Sequence, residues 1–237
     1  MDDLKARLKQ VFGESSDSED DKQQLTNNDQ ICRNKSFLTI DHNPIWEPIK
    51  EINGLWLCRE FLSPPQQSIL LSAIQNEGWF TEKSINQAMR FGDLPSWATE
   101  LSNSIREAVL FSHQSDESSD QCVLPSDLVW REPLFDQLIV NSYGPGEGIC
   151  AHVDLLRFED GIAIVSLESS CVMHFSEISR AIPVYLTPGS LMIMWGESRY
   201  LWKHEINRKP GFQIWEGQEL NQMTRLSITL RKLCSVE

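Results

Sequence analysis

The chain has 237 residues, with 34 acidic against 21 basic side chains and a formal charge of -13. That length fits one large domain, or a domain with an appendage, and allows a sizeable core. No stretch reaches the roughly 18 apolar residues of a membrane helix, and the acidic balance disfavours any protein that grips nucleic acid by bulk positive charge.

In chain order, DLKARLKQVF places Leu4, Leu8, Val11 and Phe12 on one helical face. The polar run GESSDSEDDKQQLTNNDQ that follows cannot bury enough apolar surface to offset its ordering entropy. Residues 1–34 therefore read as an acidic, largely disordered N-terminal segment, and residues 35–237 as the folded domain. Within residues 1–30 lie eight acids and four bases, which leaves -9 on the rest. The N-terminus lacks the apolar stretch of a secretory signal. Six scattered cysteines form no CxxC pair, so reduced thiols in the cytoplasm or nucleus are expected rather than a disulfide framework or a zinc site. INGLWLCREFLS predicts a strand and a turn. Ser63 and Pro64 then start a helix that stops at Gly78. Residues 80–94 show no clean period and predict a loop or an irregular hairpin. From Pro95 a second helix carries Trp97, Leu101, Ile105 and Val109 on one stripe, the pattern of core packing. HQSDESSDQ (113–121) reads as a solvated insert.

From about residue 134 the pattern changes. FDQLIVNSY, GIAIVSL, SCVMHF, IPVYL, SLMIMW and TRLSITLRK are short β-branched or aromatic runs separated by Gly, Pro or Ser turns. Strands after helices predict an α+β domain whose C-terminal half is an antiparallel barrel or sandwich.

His152 and Asp154 are two residues apart after the tight turn GPGEG (144–148), so an extended segment aims both at one face. With His204 from another strand they would make two imidazoles and one carboxylate, the facial triad of non-haem Fe(II) oxygenases. An HxD by itself is a weak signal. The final strand adds to it: Arg225, Ser227, Thr229 and Arg231 alternate with Leu226, Ile228 and Leu230. One face is thus polar, and turned inward it would be costly without a polar ligand. Two arginines with two hydroxyls suit a dicarboxylate, whereas turned outward the same face is an ordinary surface. Asn141 and Tyr143, on one face of the strand before the HxD turn, offer donors to the same ligand or are plain strand polarity.

Taken together, NSY, HVD, WGESRYLWKH and RLSITLR resemble, in order and spacing, the AlkB family of Fe(II)- and 2-oxoglutarate-dependent dioxygenases. The similarity is to the oxygenase module of its tRNA-modifying members, through PGEGI (145–149), FED (158–160), GESRYLW (196–202) and Arg225…Arg231. It covers roughly residues 134–233. The resemblance implies a double-stranded β-helix (jelly-roll) core over that span with helices N-terminal to it. It implies Fe(II), 2-oxoglutarate and O2 as cofactor and co-substrates, with His152, Asp154 and His204 as iron ligands. Arg225 would take the distal carboxylate of 2-oxoglutarate, with Asn141, Tyr143, Ser227 and Arg231 completing the pocket.

Departures from the family bear on substrate. Two residues past the metal Asp the repair members usually carry a polar base contact, and here stands Leu156. A family glycine is replaced by Glu168, and His174 reads as a strand side chain rather than a fourth ligand. In the segment matching the family's substrate lid, Gln87, Arg90 and Phe91 are candidates to stack on or flank a flipped base. Arg90, Arg157, Arg199, Lys203, Arg208 and Lys209 are candidates for a local basic rim. The expected activity is oxidative demethylation or hydroxylation of a methylated nucleic acid, RNA favoured. The alternatives are a protein hydroxylase or demethylase using the same iron site, and a non-catalytic scaffold. The sequence carries no sign of oligomeric state.

Overall fold

The computed structural model describes residue 38 and residues 43–82, 84–115 and 122–235, with 113–115 as helix backbone only. The N-terminal helix and acidic segment expected over residues 1–34 lie outside the described residues, as does the 116–121 part of the insert. Chain order in the described part is β1 (Glu47–Pro48), β2 (Leu55–Cys58), α1 (Pro64–Asn76), β3 (Gln87–Phe91), α2 (Ser96–Ser115) and α3 (Ser126–Val129). Next come β4 (Gln137–Tyr143), β5 (Ile149–His152), β6 (Ile162–Leu167), β7 (Cys171–Glu177), β8 (Arg180–Leu186) and β9 (Leu191–Met194). α4 (Glu197–Tyr200), β10 (Lys203–Ile206), the hairpin β11 (Ile214–Trp215) and β12 (Gln218–Glu219), and β13 (Arg225–Arg231) complete the chain.

Local sequence sets the helix ends. Gln66 Oε1 accepts from both the backbone N and the hydroxyl of Ser63, at 2.9 and 2.7 Å, and Pro64 opens α1 with its fixed φ. Past its end, Gly78 takes φ +68°, the left-handed turn that a side chain disfavours. In α2 the stripe Trp97, Leu101, Ile105 and Val109 is buried throughout.

Two antiparallel sheets face each other. The larger has the order β1-β2-β9-β6-β13-β4-β3 and the smaller β5-β10-β7-β8. The period of two in the strands separates two cores. Leu138 and Val140 of β4, Ala163 and Val165 of β6, and Leu226, Ile228 and Leu230 of β13 pack with α1 and α2 on the outer side of the larger sheet. Ile162 and Ile164 meet Met173, Phe175 and Val184 between the sheets. Fully burying one such side chain stabilises by about 1.5–3 kcal/mol. This is the α+β jelly-roll with N-terminal flanking helices that the sequence predicts. Strands upstream of residue 134 complete it, because β2 pairs with β9 and β3 with β4.

One expectation is corrected. Residues 80–94 are not simply a loop: Gln87–Phe91 form the edge strand β3, in register with β4 from Gln87↔Asn141 to Phe91↔Gln137. Four of its five residues are exposed. With so little burial on either face, no apolar alternation was there to read.

Candidate metal centre

β5 and β10 pair antiparallel with His152 opposite His204, and the two imidazole rings lie 4.3 Å apart. Backbone proximity here depends on Gly148, where a Cβ would fall 1.9 Å from the Ile206 carbonyl oxygen of β10. His152 Nδ1 is 2.8 Å from the carbonyl of Cys150. That contact places the ring proton on Nδ1 and leaves Nε2 as a lone-pair donor. Asp154, just beyond β5, is buried, with Oδ2 3.5 Å from His204 Nε2. Potential ligand atoms of His152, Asp154 and His204 all lie within 4.8 Å of one another.

Burial pushes the His204 pKa down to about 4, against the opposing pull of Asp154. The imidazole is therefore neutral at pH 7, and its contact with Asp154 is no ion pair. Two imidazoles and a carboxylate converge instead, with Asp154 Oδ2 buried and without a hydrogen-bond donor. Such an acceptor is costly unless a cation meets it. The donor set is that of a 2-His-1-carboxylate Fe(II) site, so the residues fit the metal.

Beside this centre, β13 lies between β4 and β6, with Arg225 opposite Tyr143, and Ser227 opposite Asn141 and Ser166. Arg225 is 1% exposed and donates from Nε to Ser166 Oγ at 3.0 Å. Both its terminal nitrogens are buried without any acceptor. A buried, half-satisfied guanidinium is strongly unfavourable alone, and a carboxylate accepting from both nitrogens resolves it. Tyr143 lies under the guanidinium at 5.8 Å, and burial raises its phenol pKa, which keeps it a donor. Asn141 Oδ1 already accepts from Gln87 Nε2 at 2.7 Å.

Arg231 reaches the metal centre itself. It ion-pairs with Asp154 Oδ1, donates to Gln137 Oε1 at 3.4 Å, and lies over the Phe158 ring at 4.8 Å. Arg231 thus meets an anion within the chain, the metal carboxylate, whereas both terminal nitrogens of Arg225 are unmet.

The basic rim is corrected as well. Arg199 is 1% exposed and donates to the carbonyls of Asp154, Leu155 and Phe158 at 2.9, 2.8 and 3.2 Å. Arg208 is buried too, donating to Gly144 O, Met223 O and Gln222 Oε1. Neither faces solvent; both tie down loops that border the site.

Of the substrate-side candidates, Gln87 and Phe91 share the face of β3 that continues the site, by their register with Asn141 and Gln137. Arg90 is on the opposite face, its guanidinium 4.5 Å from the Trp79 ring. Strand alternation separates it from its two neighbours in the candidate set. Leu156 is 77% exposed beside the centre, next to exposed Leu155. His174 pairs with Glu205 and sits on the opposite face of β7 from Phe175, whose ring packs 5.8 Å from His204. It is a strand side chain and no ligand. Glu168 occupies a β6–β7 turn at φ +69°, where glycine is favoured.

The profile of the 2OG-Fe(II) oxygenase superfamily matches residues 54–231. The chain belongs to that superfamily. It is 33% identical over 204 residues to the Xenopus tropicalis tRNA (carboxymethyluridine(34)-5-O)-methyltransferase alkbh8, covering 76% of this chain and 32% of that protein. It is 26% identical over 218 residues to the Arabidopsis thaliana alkylated DNA repair protein ALKBH8 homolog, covering 77% and 59%. A mimivirus protein, L905, is 29% identical over 189 residues, covering 78% of this chain and 87% of its own length. The chain thus spans about a third of the first of these relatives. The structure of OsALKBH1 superimposes with a TM-score of 0.53 at 18% identity, covering 76% of this chain and 97% of that one, a likeness of fold. The chain is a 2-oxoglutarate-dependent dioxygenase using Fe(II), 2-oxoglutarate and O2. His152, Asp154 and His204 would hold the iron, which together with O2 and 2-oxoglutarate would supply oxidation of a substrate C–H bond. The chain's own residues hold that chemistry in place. His152, Asp154 and His204 offer the ligands, Arg231 fixes the carboxylate, and the Arg225 guanidinium presents two donors to an anionic co-substrate.

Proposed function

We propose that this dioxygenase oxidises a methylated nucleobase in RNA, by demethylation or by stable hydroxylation, and that it does so in the cytoplasm or nucleus. An oxidised N-methyl carbon becomes a hemiaminal that releases formaldehyde, while a carbon-bound methyl gives a lasting alcohol. The observation that carries the reading is the 33% identity, over most of this chain, to a protein named for methyl transfer to carboxymethyluridine(34) of tRNA. Gln87 and Phe91 support it, because they present an amide and an aromatic face on an exposed edge beside the centre. His152, Asp154, His204 and Arg225 are assigned to metal and co-substrate, and their intact set argues against a scaffold.

One observation favours a protein substrate as the second reading. The loop after Asp154 presents exposed Leu155 and Leu156 where a polar base contact would be expected. The test is turnover of methylated RNA oligonucleotides and methylated peptides side by side, followed by succinate and formaldehyde release and by product mass. Substrate-coupled succinate with RNA alone supports the first reading; peptide-only turnover replaces it with the second.

A further inference from the structure

The aromatic and cationic side chains around the Asp154 loop form a ladder. Phe91 of β3 lies 5.7 Å from the Arg157 guanidinium, Arg157 lies 5.0 Å from the Phe158 ring, and Phe158 lies 4.8 Å from Arg231, which holds Asp154. Phe158 is buried, whereas Phe91 is half exposed and Arg157 exposed. Two rings thus restrain a cation at the surface, linked to the carboxylate of the centre through Phe158 and Arg231.

Arg157 has no carboxylate partner among the described residues. The two acids that follow in sequence are engaged elsewhere: Glu159 lies 3.7 Å from Arg131, and both Asp160 oxygens accept from Gly196 N at 3.0 Å. In a chain with a formal charge of -13, a solvent-facing guanidinium restrained by two rings and free of internal anions is set up for an external one. The Phe91 ring beside it is half exposed, and its chain neighbour Leu156 is exposed and apolar. Nucleic acid offers that combination of a phosphate beside a stacking base face. Of the other expected rim residues, Arg199 and Arg208 are buried and Arg90 turns to the far side of β3. Exposed Lys203 alternates with His204 along β10 and so points away from the centre, and Lys209 is exposed in the loop after β10.

We infer that Arg157, clamped between Phe91 and Phe158, is a phosphate-binding subsite at the mouth of the centre, through which the enzyme engages the backbone of its nucleic-acid substrate. The inference rests on the RNA reading and adds to it a single, localised phosphate contact in place of a broad basic surface.

The experiment is fluorescence anisotropy of a fluorescein-labelled single-stranded RNA with the full chain loaded with Mn(II) and 2-oxoglutarate, across a potassium chloride series. Each phosphate contact on single-stranded nucleic acid adds about 0.7 to the slope of log affinity against log salt. Arg157→Met, which keeps the apolar stem over Phe158 and removes the charge, is expected to be shallower by about 0.7. Arg157→Lys is expected to keep the wild-type slope. A merely structural Arg157 would lower affinity, if at all, without changing the slope. If the wild type binds and Arg157→Met shows the wild-type slope, the subsite is overturned and the RNA reading stands. If the wild type binds no RNA even at the lowest salt, both fall, and Arg157-dependent binding of a poly-glutamate peptide would reassign the guanidinium to an acidic protein.

Discussion

Arg225 and Arg231 share one face of β13, yet they terminate in different chemistry. Arg225 leaves two buried nitrogens unmet, whereas Arg231 is neutralised by Asp154. Their variants should therefore separate. Arg225→Ala removes a desolvated carboxylate partner, a loss of about 2–5 kcal/mol, and should raise the KM for 2-oxoglutarate by roughly 30-fold or more. Arg225→Lys should recover only part, since an ammonium cannot grip a carboxylate bidentately. Arg231→Ala should instead weaken metal binding, by about 10- to 100-fold as for other groups that orient a ligand, with the KM for 2-oxoglutarate at saturating metal unchanged. Manganese titration by calorimetry and steady-state kinetics measure the two, and the opposite pattern would reverse the assignments. Alternation along RLSITLR made the polar face legible, but not what each arginine meets. A strand pattern gives direction, whereas the Asp154 partner comes from a loop 77 residues earlier in the chain. Arg199 is the harder case: nothing local separates a buried arginine that ties carbonyls together from an exposed one, and only tertiary structure does so.

At the level of elements, the metal site depends on how closely β5 lies against β10. Gly148→Ala would set a methyl 1.9 Å from the Ile206 carbonyl, forcing the strands apart beside the His152–His204 pair. Loss of metal binding is expected from a chain that still folds, read by manganese titration alongside circular dichroism. A Gly148→Ala protein with wild-type metal affinity would contradict that account. The cysteines report on the same elements. Burial raises the Cys58 thiol in β2 to about 11, so at pH 8 only roughly one molecule in a thousand carries the reactive thiolate. Cys171 is buried in β7, while Cys150 and Cys234 are exposed. Brief iodoacetamide treatment of native protein should label Cys150 and Cys234 and spare Cys58 and Cys171. Labelling of Cys58 should grow only as the pH rises towards 11, and mass spectrometry of tryptic peptides would show any departure. Elements with two buried faces or one clean period, such as β6, β13 and α2, were legible in the sequence. β3 was not, because an exposed edge strand leaves its alternation unmarked.

The molecule as a whole joins an acidic chain to a centre with unmet hydrogen-bonding groups on both sides. Asp154 Oδ2 lacks a donor and the two Arg225 nitrogens lack an acceptor, so without ligands the fold holds a buried anion oxygen and a buried cation that cannot satisfy each other. The formal charge of -13 could be counted from the sequence, but not this pairing of unmet groups, which exists only once β5, β10 and β13 are assembled. Cation and dicarboxylate should each stabilise the native state, by about 2.7 kcal/mol at a hundredfold excess over Kd. For a chain of this size about 2–4 °C accompanies each kcal/mol. Manganese with 2-oxoglutarate should therefore raise the melting temperature of chelator-stripped protein by roughly 10 °C or more, and chelator should reverse it. The two increments come from different residues and must dissociate. In Asp154→Ala the manganese increment should disappear, whereas in Arg225→Ala it should persist while the 2-oxoglutarate increment is lost. Scanning calorimetry on the three proteins decides it. An Asp154→Ala chain still stabilised by manganese would place the metal elsewhere, and an Arg225→Ala chain still stabilised by 2-oxoglutarate would remove the guanidinium from the co-substrate site.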